Sequence, residues 1–178
     1  MFGKPVSLFS VFGFEIKVDM SWLILAALIT WSLASGLFPE YYKDLPKSAY
    51  WWMGIAGAIG LFLSIIVHEL THSIVARHYG VSMKEITLFI FGGVAHMEED
   101  PSSPKAEFMI AVVGPVSSFL LAASAFLLYK VGVYSGWPVT LTGVLNYLSW
   151  LNMILAVFNL IPAFPLDGGR ILRSALWK

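Results

Sequence analysis

The run Tyr50-Trp51-Trp52-Met53-Gly54-Ile55-Ala56-Gly57-Ala58-Ile59-Gly60-Leu61-Phe62-Leu63-Ser64-Ile65-Ile66-Val67-His68-Glu69-Leu70-Thr71-His72 decides the fold. From Tyr50 to Val67 it holds no charged residue, so it reads as a bilayer-spanning helix rather than a soluble one. Its last five residues are an HExxH motif. On a helix the two His fall at i and i+4, about 6 Å of rise apart on one face, where both imidazoles reach one Zn²⁺ while Glu69 stands ready as a base. That set of groups suits hydrolysis of an amide. Ionisable groups inside lipid cost several kcal/mol, which makes an intramembrane HExxH more informative than a soluble one.

The rest of the composition agrees with a membrane location. Of 178 residues, 58% are hydrophobic and 12% charged, against roughly a quarter charged in ordinary globular chains. Mean hydropathy is +0.77. Eleven basic and eleven acidic residues cancel, and no basic block tracks phosphates, so nucleic acid is not expected as a partner. The chain has no Cys, which removes disulfide and thiolate chemistry and leaves the redox compartment open. Met1 to Asp19 shows strand-like alternation instead of a cleavable signal, so the first span is expected to direct its own insertion.

Four runs are long enough for a hydrocarbon core of about 30 Å: residues 20–38, 51–79, 106–129 and 139–161. Aromatic residues gather at their ends, with Trp22 at one surface and Tyr50, Trp51, Trp52 and Trp137 at the other. Lys4, Lys17, Arg77, Lys84, Lys105, Arg170, Arg173 and Lys178 fall on one side, and only Lys43, Lys47 and Lys130 on the other. The positive-inside bias therefore predicts a cytoplasmic N-terminus and chain end. His72 then lies roughly 8 Å inside Arg77, with His68 about 6 Å deeper.

Two stretches on that cytoplasmic side read as strands. Phe14, Ile16 and Val18 alternate with Glu15, Lys17 and Asp19, and residues 84–99 read as two β-rich runs around a turn at Gly92-Gly93. The expected fold is a polytopic all-α membrane bundle, one domain over residues 1–178, with a small sheet at the cytoplasmic surface. An edge strand at Ile86–Phe91 is expected to capture an extended peptide by β-augmentation. Gly54, Gly57 and Gly60, with Ala56 and Ala58, are expected to let the HExxH helix pack closely on its neighbours.

A catalytic zinc site needs a third protein ligand. His78 has the metzincin spacing, but Val75 stands where that pattern requires a turning Gly, and a continuing helix carries His78 some 9 Å further along on another face. Glu85, Glu98 and Glu99 read as solvated charge in the strand region. The better source is Asn159-Leu160-Ile161-Pro162-Ala163-Phe164-Pro165-Leu166-Asp167-Gly168-Gly169-Arg170. Pro162 and Pro165 end the fourth span, and irregular backbone at that depth needs a protein or water-filled surrounding. Asp167 then arrives on the same side as the HExxH turn. Its alternative role is to N-cap a last helix beginning at Gly168; beside an intramembrane HExxH, the ligand role is the stronger reading.

An HExxH span, an Asn-x-x-Pro-x-x-Pro-x-Asp-Gly element, and the intervening Phe91-Gly92-Gly93 and Gly114-Pro115 pieces together resemble the site-2 protease family of intramembrane zinc metalloproteases. The paired motifs in this order are far more specific than HExxH alone. The resemblance implies that His68, His72 and Asp167 bind zinc, that Glu69 is the general acid/base, and that Asn159 helps hold the substrate or its oxyanion. A membrane Asn also serves as ordinary interhelical glue. It further implies a single-span membrane-protein substrate cleaved in or near its transmembrane helix, in a cell membrane. A homo-oligomer is left open. Only residues 132–138 separate the third and fourth spans, so the chain is similar to the minimal branch without a PDZ insertion, some of whose members continue past the Asp-Gly element where this chain stops.

Two other classes compete with the protease. A metal-handling transporter would account for buried His and Asp but not for a Glu between the two His, and the chain is short for an inverted-repeat transporter. A catalytically silent membrane binding protein would keep the same residues without turnover.

Overall fold

Four helices of the computed structural model, which describes residues 5–81, 83–89, 92–97 and 101–177, are long and apolar enough to cross a membrane. They cover Met20–Tyr41, Lys47–His78, Pro104–Tyr134 and Val139–Asn159. The first is α1 (Met20–Ser32) continued through a π turn (Leu33–Leu37) into the short α2 (Phe38–Tyr41). Pro39 explains the wide turn, because its ring crowds the carbonyl four residues back and it supplies no amide to the ladder. The others are α3 (Lys47–His78), α4 (Pro104–Tyr134) and α5 (Val139–Asn159), followed by α6 (Asp167–Ala175). These helices lie where the apolar runs predict them, with α4 extending five residues beyond its expected end at Tyr129.

Local signals set the helix ends. Asp19 caps α1, its carboxylate accepting from the Ser21 amide at 2.9 Å, and this hydrogen bond holds the carboxyl below the usual range. Ser103 caps α4 by accepting from Ala106 N at 3.2 Å, with Pro104 just inside the helix. Pro46 precedes α3, and Pro138 precedes α5 after a connection of residues 135–138. The glycines of α3 do bring neighbours close: a Cβ on Gly54 would lie 2.7 Å from Thr30 O, and one on Gly60 would overlap the Leu148 side chain.

The sheet has four strands in the order β1 (Val6–Val11), β2 (Phe14–Val18), β3 (Met83–Phe89), β4 (Gly92–Met97). β1–β2 and β3–β4 are antiparallel hairpins, joined by parallel pairing of Glu15–Val18 with Glu85–Leu88. Lys17 is ion-paired with Glu85 and with Glu15 at 3.3 Å. Phe14, Ile16 and Val18 point into a core with Ile66, Ala76, Val81 and Ile110, so the sheet is fastened to the HExxH end of α3. Arg77 adds a second fastening, donating to Phe12 O at 2.8 Å and lying over the Phe14 ring.

Two strand expectations are corrected. Within the expected edge at Ile86–Phe91, Ile86–Leu88 is paired with both β2 and β4 and is not an edge; among the described residues the edge strands are β1 and β4. Gly92 and Gly93 sit inside β4, opposite Phe89 and Leu88, and do not form the turn. The connecting residues Ile90 and Phe91 lie outside the described residues, as do Glu98 and Glu99. Alternation alone could not reveal these features, since a strand with partners on both edges and one with a single partner have the same side-chain period.

Candidate metal centre

In α3, continuous helix geometry places His68 and His72 on one face, about 24 and 30 Å along the axis from Trp52. Both are buried, at 4% and 6% exposure. After α5 the chain passes Pro162 and Pro165 and returns as α6, whose first residue is Asp167. The N-cap is Leu166 and no side chain caps this helix, so the capping role weighed for Asp167 is not the one it plays. Gly168 permits the return: a Cβ there would run into the carbonyls of Leu160 and Ile161, so only glycine lets the start of α6 press against the preceding loop.

The result is a triangle of donor atoms. His68 Nε2 lies 3.1 Å from His72 Nε2 and 3.1 Å from Asp167 Oδ2, and His72 Nε2 lies 3.2 Å from Asp167 Oδ2. Among the described residues this is the one group of three such side chains able to hold a metal ion. Three ligands at about 2.0–2.1 Å from a tetrahedral zinc stand about 3.3 Å apart, so the triangle fits within a few tenths of an ångström. Its chemistry fits as well, because two imidazole lone pairs and a carboxylate converging in a buried place repel unless a cation joins them.

Helix α4 supports the triangle from behind. His72 Nδ1 donates to Ile110 O at 2.6 Å, and this fixes the tautomer, leaving Nε2 with its lone pair toward Asp167. His68 Nδ1 pairs with Ser118 Oγ at 3.0 Å. Gly114 provides the room: a Cβ there would overlap His72 Nε2 and lie 2.8 Å from His68 Nε2. Sequence reasoning missed Ile110, Ser118 and this use of Gly114. The available signal was their spacing of four and four residues along one helix face.

Glu69 is half-buried and follows His68 directly on α3. Asn159 ends α5, and its amide nitrogen donates to Leu155 O at 2.9 Å, which leaves one N–H for another acceptor. His78 is exposed at the end of α3 and stacks edge-on against Tyr79, apart from the triangle. Glu85 is taken up by Lys17.

The family model for peptidase family M50 matches residues 56–136 and 130–178, which include all three donors and Glu69. The chain belongs to peptidase family M50. It is 40% identical over 168 residues to the putative zinc metalloprotease Rip3 of Mycobacterium tuberculosis, covering 93% of this chain and 42% of that protein. It is 36% identical over 178 residues to zinc metalloprotease MJ0392 of Methanocaldococcus jannaschii, covering 97% of this chain and 46% of that one. The chain thus spans under half the length of these two curated relatives. Its structure is similar to that of a site-2 protease from Methanocaldococcus jannaschii, with a TM-score of 0.66 and 33% identity over 97% of this chain and 72% of the other. As an M50 chain with four apolar helices it is a multi-pass membrane protein, and zinc is the cofactor named for its relatives.

Proposed function

We propose that this chain is the catalytic core of an intramembrane zinc metalloprotease that hydrolyses peptide bonds in or near a transmembrane segment of a membrane-protein substrate. The observation that carries this reading is the triangle of His68 Nε2, His72 Nε2 and Asp167 Oδ2, with Glu69 directly after His68 on the same helix. His68, His72 and Asp167 are the zinc ligands. When bound, zinc supplies Lewis acidity to the scissile carbonyl and lowers the pKa of water to about 7. The Glu69 carboxylate accepts a proton from the attacking water and returns it to the leaving amine. The remaining N–H of Asn159 is the donor proposed to hold the substrate carbonyl.

A helical substrate must unwind, because its peptide groups are already hydrogen-bonded and shielded. β4 is the edge strand that packs against α3, and it takes over the role expected of Ile86–Phe91: an extended segment adds to β4. The basic residues at the β-sheet end of the bundle support a cytoplasmic placement of this end, in the cell membrane.

The test is zinc content together with cleavage of a single-span substrate in proteoliposomes. His72→Ala and Asp167→Ala are expected to lose stoichiometric zinc, whereas Glu69→Gln keeps zinc and loses cleavage, since it removes a base but no ligand. Normal zinc in both ligand variants would sink the site assignment. Metal flux without peptide product from the wild type would identify a transporter instead.

A further inference from the structure

One face of α4 carries Glu107, Ile110, Gly114 and Ser118, at offsets that keep all four within an arc of about 80°. The last three meet the histidines of α3. Glu107 meets α6. Its side chain is fully buried, Oε1 accepts from Arg173 Nε at 2.6 Å and is ion-paired with Arg173 Nη2, and Arg170 Nε lies 3.9 Å away. Arg170 and Arg173 follow Asp167 by one and nearly two turns of the same helix.

Helix α6 needs such an anchor. It has nine residues and no side-chain cap, too few to hold a helix on local forces. Its place is therefore set by what it leans on, and its packing is against α4. A buried carboxylate is strongly unfavourable unless paired, so Glu107 and the arginines bind the two helices in a single relative position.

We propose that Glu107 is a positioning residue for the metal: it docks α6 on α4 through Arg173 and Arg170 and so holds Asp167 against His68 and His72. The proposal rests on the assignment of those three residues as zinc ligands. Glu107 touches neither metal nor substrate; it acts through Asp167. One helix face then serves as the common reference for both halves of the site, orienting the histidines directly and the carboxylate at one remove.

The experiment is a cycle of Zn²⁺ affinities, measured by chelator competition on the full chain in detergent, for wild type, Glu107→Gln, Asp167→Ala and the double variant. Glu107→Gln is expected to weaken zinc about 10–100-fold, the range for residues that orient a ligand, with the helical circular dichroism of the metal-free protein unchanged. In the Asp167→Ala background the same substitution is expected to have no further effect, because its route to the metal is already gone. Wild-type affinity in Glu107→Gln overturns the proposal, and so does an equal loss in both backgrounds, which would mark a general packing role. Wild-type affinity in Asp167→Ala instead overturns the ligand assignment, and the proposal with it. If Glu107→Gln fails to fold, Arg173→Lys carries the same expectation, since it keeps a cation beside the buried carboxylate but loses the contact that Nε and Nη2 together make with Oε1.

Discussion

At Gly114 the ordinary ranking of helix residues is reversed. Replacing a helical glycine by alanine favours the helix by about 1 kcal/mol, yet a methyl group here would occupy the place where the two imidazoles converge. Gly114→Ala is therefore expected to abolish zinc binding while the metal-free protein keeps its helical content, the helix preference being offset by about 1–3 kcal/mol of overpacking, a pairing checked by circular dichroism and metal analysis on one preparation. Wild-type zinc content in that variant would show that α4 yields to the methyl. Residue types explain which parts of the site could be read in advance. His68, Glu69, His72 and Asp167 carry chemistry in their side chains, and their spacing and surroundings point to a metal. Gly114 acts by lacking atoms and Ile110 through its carbonyl, so neither shows a function until α4 is laid against α3. Glu107 was hidden for another reason: a lone acidic residue in the first turn of a helix is ordinary dipole complementarity, and its two arginines are more than sixty residues away.

At the scale of elements, the sheet decides where a substrate strand can add. β3 has no open side over Ile86–Leu88, and β4 has one neighbour among the described strands. Successive amides of a strand point in opposite directions, so of Val94 and Ala95 one donates toward β3 and the other toward the open edge. Proline at the inward position is expected to loosen the β3–β4 pairing. Proline at the outward position should leave hydrogen-exchange protection of the sheet and zinc content intact and still lower cleavage of a membrane-embedded substrate. Full cleavage by a folded, zinc-loaded outward variant would remove β4 as the docking strand. The strands themselves were legible from the alternation of Phe14, Ile16 and Val18 and from the β-rich run after α3. Their order was not, because the parallel link between β2 and β3 joins segments about seventy residues apart, and it depends on where α1 and α3 return the chain to the same surface.

For the molecule as a whole, the spans were the most legible feature, since a bilayer core imposes one length and one composition on every crossing. Their orientation is open to a direct test, because the chain has no Cys. Single variants Lys105→Cys and Lys130→Cys are expected to react with a membrane-impermeant maleimide from the cytoplasmic and the opposite side respectively, and the reverse pattern would invert the topology. That Asp167 comes to the HExxH side was expected from the two motifs, whereas the part α4 plays, packing against both α3 and α6, was not legible in either motif. This arrangement predicts how zinc should stabilise the protein. A ligand bound only to the native state adds about 2.7 kcal/mol at a hundred times its Kd, and here it joins α6 to a bundle that is already packed without it. The gain in unfolding temperature on adding zinc is therefore expected to vanish in Asp167→Ala. Chelation of the wild type should raise hydrogen exchange in residues 160–177 while α3, α4 and α5 stay protected, since their packing against one another does not pass through the metal. A rise in exchange spread evenly over all the helices would mean that zinc holds the bundle itself together, and that α6 is not the separately docked element described above.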